Sequence, residues 1–190
     1  MKISDGIFKI KGDGSVYVIL GSKVVVIDTS NIADGPRIEK EIEKIVPLEK
    51  VNFVLLTHLH YDHVGNVGLF PNAEIYASAE EIWDYRKDTD RFHFYVNEDV
   101  DKILKEKLRP LPNEIVGLKI VRVPGHTRGS VAFLDEKRKL LFSGDTLFTN
   151  DIIGRTDLPN SIPEKMDESV AKLVKMIEDD KLLLCPGHGY

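Results

Sequence analysis

The 190-residue sequence has one cysteine, no glutamine and no apolar run long enough to span a membrane. The single cysteine, Cys185, excludes an intrachain disulfide. The absence of a long apolar run argues against a membrane partner, and the N-terminus MKISDGIFKIKG lacks the apolar centre of a signal peptide. We therefore expect a cytoplasmic location. The lack of glutamine beside abundant lysine and glutamate is typical of heat-adapted proteins.

Positive charge is also in short supply. The chain has 26 Lys and Arg residues against 31 Asp and Glu residues, a net charge of -5, and the two signs are interleaved. A nucleic-acid partner would favour a basic stripe, and we find none, so no such partner is expected. The length suffices for one core, and we see neither a repeat nor a linker. We therefore expect one domain over residues 1–190, whose oligomeric state the sequence does not indicate.

Hydrophobic periodicity predicts an α/β protein. Three short β patterns open the chain as an antiparallel meander, and an amphipathic helix follows, with Pro36 in its first turn and Pro47 after its end. The order of elements suggests two packed sheets with helices outside. Strands are predicted over 6–11, 15–20, 23–28, 51–56, 74–77, 118–123, 130–134, 139–142 and 182–184, and helices from 34, from 78, over 98–107 and over 162–177.

Three of the six histidines fall in the segment THLHYDH at residues 57–63. The segment directly follows a predicted buried strand, which would hold it rigidly. His58 and His60 are two residues apart, so in an extended chain both point to one side and can share a metal. Asp62 and His63 come as the chain turns towards a helix, and they can aim at a second point nearby. Imidazole and carboxylate ligands together bind zinc, iron or manganese.

Three further residues of ligand type each lie just past a predicted strand. His126 is in the segment PGHT, His188 is in PGHG, and Asp145 is in SGDT. Alone, each would be read as an ordinary polar turn residue. Beside the first cluster they predict a convergent metal site, in which the Asp145 carboxylate bridges two cations. The sixth histidine, His93, has no ligand spacing, and we expect it to be structural or at the surface.

In this order, THLHYDH, PGHT, SGDT and PGHG resemble the motifs of the metallo-β-lactamase fold superfamily, and the resemblance covers essentially the whole chain. It implies a four-layer αβ/βα sandwich with a metal site at one edge of two mixed sheets. It also implies two divalent metal ions per chain, with zinc expected and iron or manganese as alternatives. The implied ligands are His58, His60 and His126 for one metal and Asp62, His63 and His188 for the other, with Asp145 shared.

Two features narrow the resemblance to the glyoxalase II-like hydrolases. The residue at 145 is aspartate rather than cysteine, which argues against a true β-lactamase. The segment GRTDLP at 154–159 looks like a glyoxalase II loop, and Arg155 and Asp157 could pair to fix it beside Asp145. Full-length glyoxalase II adds a C-terminal helical region that helps hold glutathione. This chain ends two residues after His188, so we expect no such extension, and the identity of the substrate thiol stays open.

The predicted activity is hydrolysis of a small thioester or related ester. Two divalent cations about 3.5–4 Å apart can share one water and lower its pKa towards neutrality, so that bridging hydroxide attacks the carbonyl carbon. We expect Asp62 and Asp145 to be the catalytic carboxylates, with Asp62 orienting the nucleophile. Arg128 could bind a substrate carboxylate, although a solvated surface arginine is the alternative. Asp28 could accept a hydrogen bond from the outer ring nitrogen of a ligand histidine, or cap a turn.

Other functions stay open. A loop of the form GRTDF occurs in persulfide dioxygenases, which hold a single iron at residues matching His58, His126 and Asp145. A lactonase and a non-catalytic metal-binding module are further alternatives. Structural zinc sites are closed and often rich in cysteine, whereas seven ligands around two cations leave positions for water, which favours catalysis. The aromatic stretch over 83–95 could be a pocket wall, a dimer face or ordinary core.

Overall fold

The computed structural model describes residues 1–87 and 96–189. The predictions for His93, and for the aromatic stretch beyond residue 87, lie outside these ranges. The described helices are α1 (Gly35–Glu43), α2 (Tyr61–Val64), α3 (Ala79–Lys87), α4 (Glu98–Lys107) and α5 (Pro163–Asp180). The described strands are β1 (Lys2–Ser4), β2 (Ile7–Ile10), β3 (Val16–Ile19), β4 (Val24–Ile27), β5 (Val51–Leu55), β6 (Glu74–Ala77), β7 (Leu108–Pro110), β8 (Glu114–Ile115), β9 (Leu118–Arg122), β10 (Val131–Asp135), β11 (Leu140–Gly144) and β12 (Leu183–Pro186).

The strands form two mixed sheets. The first has seven strands in the order β1 to β7, and the second has five in the order β12-β11-β10-β9-β8. Strands β1 to β4 pair antiparallel, as the predicted meander requires, while β4 to β7 pair parallel. Among the described strands of the second sheet, only β11 and β12 pair parallel. In each sheet, therefore, at least two neighbouring strands end at the same edge.

The sheets pack face to face with helices outside, so the predicted four-layer α/β sandwich is confirmed. Side-chain alternation explains the layering, because successive strand residues point to opposite faces. In β3, Val16 and Val18 pack towards helices α1, α3 and α4, whereas Tyr17 and Ile19 pack between the sheets. On the other side, the buried Leu173 of α5 covers the outer face of the second sheet. Among the described residues, no helix is both long and apolar enough to cross a bilayer.

The sequence patterns located the long elements and missed the shortest strands. Helix α4 and strand β6 have the predicted bounds, and Ser78 caps α3 by accepting a hydrogen bond from the amide of Glu81 at 3.1 Å. Strands β1, β7 and β8 were not predicted. They have three, three and two residues and partly exposed side chains, so they carry too few alternating positions to give a periodic signal.

Candidate metal centre

The predicted ligands gather at the edge where parallel strands end. Asp28 follows β4 and His58 follows β5, while Asp145 follows β11 and His188 follows β12. His126 lies in the loop after β9. Because neighbouring parallel strands share their carboxyl edge, residues far apart in sequence meet there. The seven residues proposed from the sequence as metal ligands all lie in this one place.

A first group consists of His58, His60 and His126. The Nε2 atom of His126 lies 2.9 Å from Nδ1 of His60 and 3.2 Å from Nε2 of His58. All three rings are buried. Three ring nitrogens thus face one another across a space of the size that one cation needs.

The outer nitrogens of these rings have acceptors. Nδ1 of His126 lies 2.8 Å from the carbonyl oxygen of Arg155, and Nε2 of His60 lies 3.3 Å from Oδ1 of Asn160. Nδ1 of His58 lies 3.0 Å from the hydroxyl of Thr57, which itself donates to Asp28. With each ring proton assigned outwards, the inner nitrogens carry lone pairs, as metal ligation requires.

The electrostatics favour neutral rings in this group. Burial lowers the pKa of His58 well below its ordinary value, and the neighbouring histidines lower it further. Burial and His126 lower the pKa of His60 to about 3. Burial also lowers the pKa of His126. Neutral imidazole is the form that binds a metal, so these rings are ready ligands at neutral pH.

A second group consists of Asp62, His63 and His188. Nε2 of His188 lies 3.2 Å from Oδ2 of Asp62 and 3.4 Å from Nε2 of His63. The outer nitrogen of His63, Nδ1, lies 2.9 Å from Oδ2 of Asp28. Asp28 therefore contacts the outer side of a ligand ring, as the sequence suggested.

Asp145 lies between the two groups. Its carboxylate oxygens are 3.2 Å from Nε2 of His63, 3.3 Å from Nε2 of His188 and 3.6 Å from Nε2 of His126. Oδ1 is buried and forms no hydrogen bond within the described ranges. Nε2 of His63 lies 3.2 Å from this Oδ1 without forming a hydrogen bond to it. A buried carboxylate oxygen without a hydrogen bond is costly, and a bound cation would satisfy it. The Asp145 carboxylate thus lies close to ring nitrogens of both groups.

The second group attracts positive charge. Burial lowers the pKa of His63, but the carboxylates of Asp145, Asp28 and Asp62 outweigh it and raise that pKa well above its ordinary value. The pKa of His188 is raised to about 9, because hydrogen bonds to Asp145 and Asp62 outweigh burial. Three features fit two divalent cations: lone pairs that face one another in the first group, excess negative charge in the second group, and the Asp145 Oδ1 between them without a hydrogen bond.

Two glycines permit the close packing around Asp145. A Cβ atom on Gly187 would lie 2.2 Å from Oδ1 of Asp145, and one on Gly154 would lie 1.8 Å from its carbonyl oxygen. Real Cβ atoms do not approach so closely, so a larger residue would displace the loops. The Pro-Gly-His turn and the GRTDLP loop can thus pack closely against Asp145, because their glycines have no side chain.

Glu81 is a site residue that the sequence analysis missed. It is fully buried and accepts hydrogen bonds from the amide of Leu59 at 2.9 Å, the hydroxyl of Thr127 at 2.6 Å and the amide of Gly129 at 3.1 Å. It thereby ties the His58–His60 segment to the His126 loop. In the sequence it stands in an ordinary helix first turn, where an acidic residue needs no special reason, so no local signal distinguishes it.

The structure also locates Arg128 and the Arg155–Asp157 pair, to which the sequence assigned roles. The side chain of Arg128 binds Asp84, with Nε 2.9 Å from its carboxylate, and stacks on Trp83, so it does not line the central cavity. Arg155 and Asp157 pair at 2.7 Å as expected, on the exposed side of their loop. Cys185 is a buried residue of β12, and burial raises its pKa to about 12.

A cavity of about 610 Å³ opens over the centre. His60, Asp62, His126, Asp145 and His188 form its floor. One wall is apolar and comes from the loop after β11; it consists of Phe148, Ile152, Ile153 and Leu158. A small molecule could therefore reach the ligand groups with an apolar part against this wall.

The chain belongs to the metallo-β-lactamase superfamily, whose sequence pattern matches residues 10–188. It is 30% identical to a Streptococcus pyogenes protein named "Probable metallo-hydrolase", over all of this chain and 84% of that protein. It is also 30% identical to the hydroxyacylglutathione hydrolase GloC of Haemophilus influenzae, over 83% of this chain and 78% of that enzyme. The family match and these relatives indicate that the chain is a metallo-hydrolase.

A solved structure supports the fold and the metal-binding character of the site. The protein TTHA1623, crystallised in a di-iron-bound form, superposes with a TM-score of 0.72 and 26% identity, over 96% of this chain and 92% of that one. The family and the described clusters of His and Asp side chains together indicate a divalent-metal site.

Proposed function

We propose that this protein is a dinuclear metallo-hydrolase that cleaves a thioester or related ester of a small molecule. One observation carries the proposal: Asp145 contacts ring nitrogens from both ligand groups, and its Oδ1 has no hydrogen bond within the described ranges. That arrangement suits a carboxylate shared by two cations. We further propose zinc as the metal, the cytoplasm as the location and a single catalytic domain.

The roles of the ligands follow from their surroundings. His58, His60 and His126 would hold one cation, Asp62, His63 and His188 the other, and Asp145 both. Bound cations of this kind polarise a carbonyl group and lower the pKa of water towards neutrality. Asp62 faces the cavity, with a side chain 16% exposed. It is therefore placed to orient the attacking water by accepting its hydrogen bond.

The cavity wall supplies substrate binding. Phe148, Ile152 and Ile153 face the ligand groups across the cavity, and each isoleucine is 42% exposed. An acyl chain that covers them would bury apolar surface away from water. The free energy gained by this burial would hold the reacting carbonyl near Asp145. Arg128 contributes nothing to this proposal, because it is engaged by Asp84.

The choice of a thioester rests on likeness. A relative at 30% identity is named hydroxyacylglutathione hydrolase, and the name denotes a substrate whose acyl group is carried on a thiol. The GRTDLP loop, which resembles that of glyoxalase II, supplies the Arg155 carbonyl that contacts His126. The loop therefore both resembles the glyoxalase II loop and contacts a proposed metal ligand.

Turnover of matched substrates tests the proposal. A thioester, an oxygen ester and a lactone of comparable acyl size would be assayed with metal-loaded protein, after chelation and after metal is restored. We expect thioester hydrolysis to disappear on chelation, to return with metal, and to fall at least about 100-fold in Asp145→Asn. The exposed Asp5→Asn serves as the matched control. Hydrolysis of no substrate, or oxygen uptake with a persulfide by protein holding one iron, would overturn the proposal.

A further inference from the structure

A second cavity adjoins the metal centre. It has a volume of about 530 Å³ and shares Asp13 and His188 with the central cavity. Its other lining residues are Lys9 of β2, the segment after β2 with Lys11, Gly12 and Ser15, and Met1 and Gly189 near the two ends of the chain. A molecule that reaches the ligand groups past His188 could therefore extend into this second space.

Two lysines give the second cavity its charge. Lys9 and Lys11 are two residues apart along β2 and its extension, so their side chains lie on the same side of the strand. Lys9 is half-buried, its Nζ lies 5.6 Å from the centre of the Tyr17 ring, and it has no carboxylate partner among residues 1–87 and 96–189. Burial lowers the pKa of Lys9, and the charge of Lys11 lowers it further.

A carboxylate is available nearby but is engaged elsewhere. Asp13 lines both cavities, and its Oδ2 accepts a hydrogen bond from Asn31 at 3.1 Å. Among residues 1–87 and 96–189, no ion pair joins Asp13 to Lys9 or Lys11. Two neighbouring ammonium groups, one of them partly desolvated, repel each other until an anion neutralises them.

We propose that Lys9 and Lys11 bind an anionic group of the substrate, a carboxylate or a phosphate, while its ester carbonyl lies at the metal centre. The inference rests on the proposed hydrolase function, because it places the two ends of one substrate in two adjoining cavities. It makes the two lysines specificity-determining residues. The apolar wall at Ile152 and Ile153 then receives the other end of the molecule.

Binding of hydrolysis-resistant analogues tests the lysines separately from turnover. Calorimetry would compare thioether analogues that differ only in a terminal carboxylate, phosphate or neutral amide. We expect the wild type to bind the preferred anion at least about tenfold more tightly than the amide, with the preference weakening as salt is added. In Lys9→Gln/Lys11→Gln the preference should vanish while amide binding stays unchanged. Lys40→Gln, on the exposed face of α1, is the matched control.

Kinetics with the corresponding thioesters complete the test. The double variant should raise KM for the anionic thioester about tenfold, leave kcat unchanged and leave the neutral substrate unaffected. Equal binding of anionic and neutral analogues by the wild type, or a preference that survives in the double variant, would overturn the inference. Failure of the wild type to hydrolyse any thioester, with the anion preference intact, would instead contradict the proposed function alone.

Discussion

Asp28 links the two ligand groups at the level of single atoms. Its carboxylate accepts from Nδ1 of His63 at 2.9 Å, from the hydroxyl of Thr57 at 2.8 Å and from the amide of Thr57 at 2.8 Å. The Thr57 hydroxyl in turn lies 3.0 Å from Nδ1 of His58. One buried residue therefore orients a ring in each group.

Replacing Asp28 by Asn should weaken metal binding without removing a ligand. The amide nitrogen would face the His63 ring proton and disturb its orientation, so we expect affinity to fall about 10–100-fold. Competition with a coloured chelator measures this, with Asp5→Asn as the control. Wild-type affinity in the variant would show that Asp28 does not position the ligands.

Glu81 should make stability depend on pH. Burial outweighs its hydrogen bonds and raises its pKa from 4.5 to about 7. Between these values the folded chain keeps a proton that the unfolded chain has lost, so the unfolding free energy falls as pH rises. At 1.36 kcal/mol per pH unit, Glu81 alone lowers the unfolding free energy by roughly 3 kcal/mol between pH 4.5 and pH 7.

The comparison of Glu81→Gln with wild type isolates that effect. Denaturant unfolding at pH 4.5 to 7.5 should show the stability advantage of wild type shrinking across the range, because the glutamine variant lacks this titration. Glu39→Gln, on the exposed face of α1, should keep the wild-type pH dependence. A wild-type advantage over Glu81→Gln that is constant with pH would refute the argument.

At the residue scale, the sequence indicated the candidate ligands, which do converge in the fold, more readily than the residues that support them. The short spacing of His58, His60 and Asp62 within one segment marks them as candidate ligands. Glu81 and Asn160 do not, because they reach the centre from a helix and a loop that are distant in sequence. Their roles depend on burial and on neighbours brought together only by folding.

At the element scale, the loop after β11 controls the space around Asp145. Gly154 must remain without a side chain, since its Cβ would overlap the Asp145 carbonyl. Gly154→Ala should therefore displace the loop, cost about 1–3 kcal/mol of stability and weaken metal binding. Thermal unfolding and chelator competition would measure both effects.

Gly21→Ala is the matched control for the loop. A Cβ there would lie 3.5 Å from the carbonyl oxygen of Lys23, an ordinary contact, so stability and metal affinity should stay near wild type. Equal behaviour of the two alanine variants would contradict a steric role for Gly154.

Elements with clean periodicity were predicted well, and edge strands were not. Helix α5 extends three residues past its predicted end, to Asp180, because its last turn is polar and leaves no apolar signal. Strand β7 ends at Pro110, a residue that weakens a strand prediction because it cannot donate to a ladder. Such strands form because a neighbouring strand offers partners, which local sequence does not reveal.

At the scale of the whole molecule, the sandwich explains why seven ligands can converge. Two sheets packed face to face place the ends of β4 and β5 opposite those of β11 and β12, so loops from both sheets meet at one edge. The sequence predicted this architecture through the family resemblance, which rests on the order of the four motifs. Composition and periodicity alone would have reached only an α/β protein with two sheets.

The proposed chemistry requires two divalent cations at this edge. An anomalous-difference map from crystals of metal-loaded protein, collected at the absorption edge of the metal, tests it most directly. We predict two peaks, one within bonding distance of His58, His60 and His126 and one within bonding distance of Asp62, His63 and His188, with Asp145 touching both. A single peak, or metal bound away from these side chains, would contradict the account.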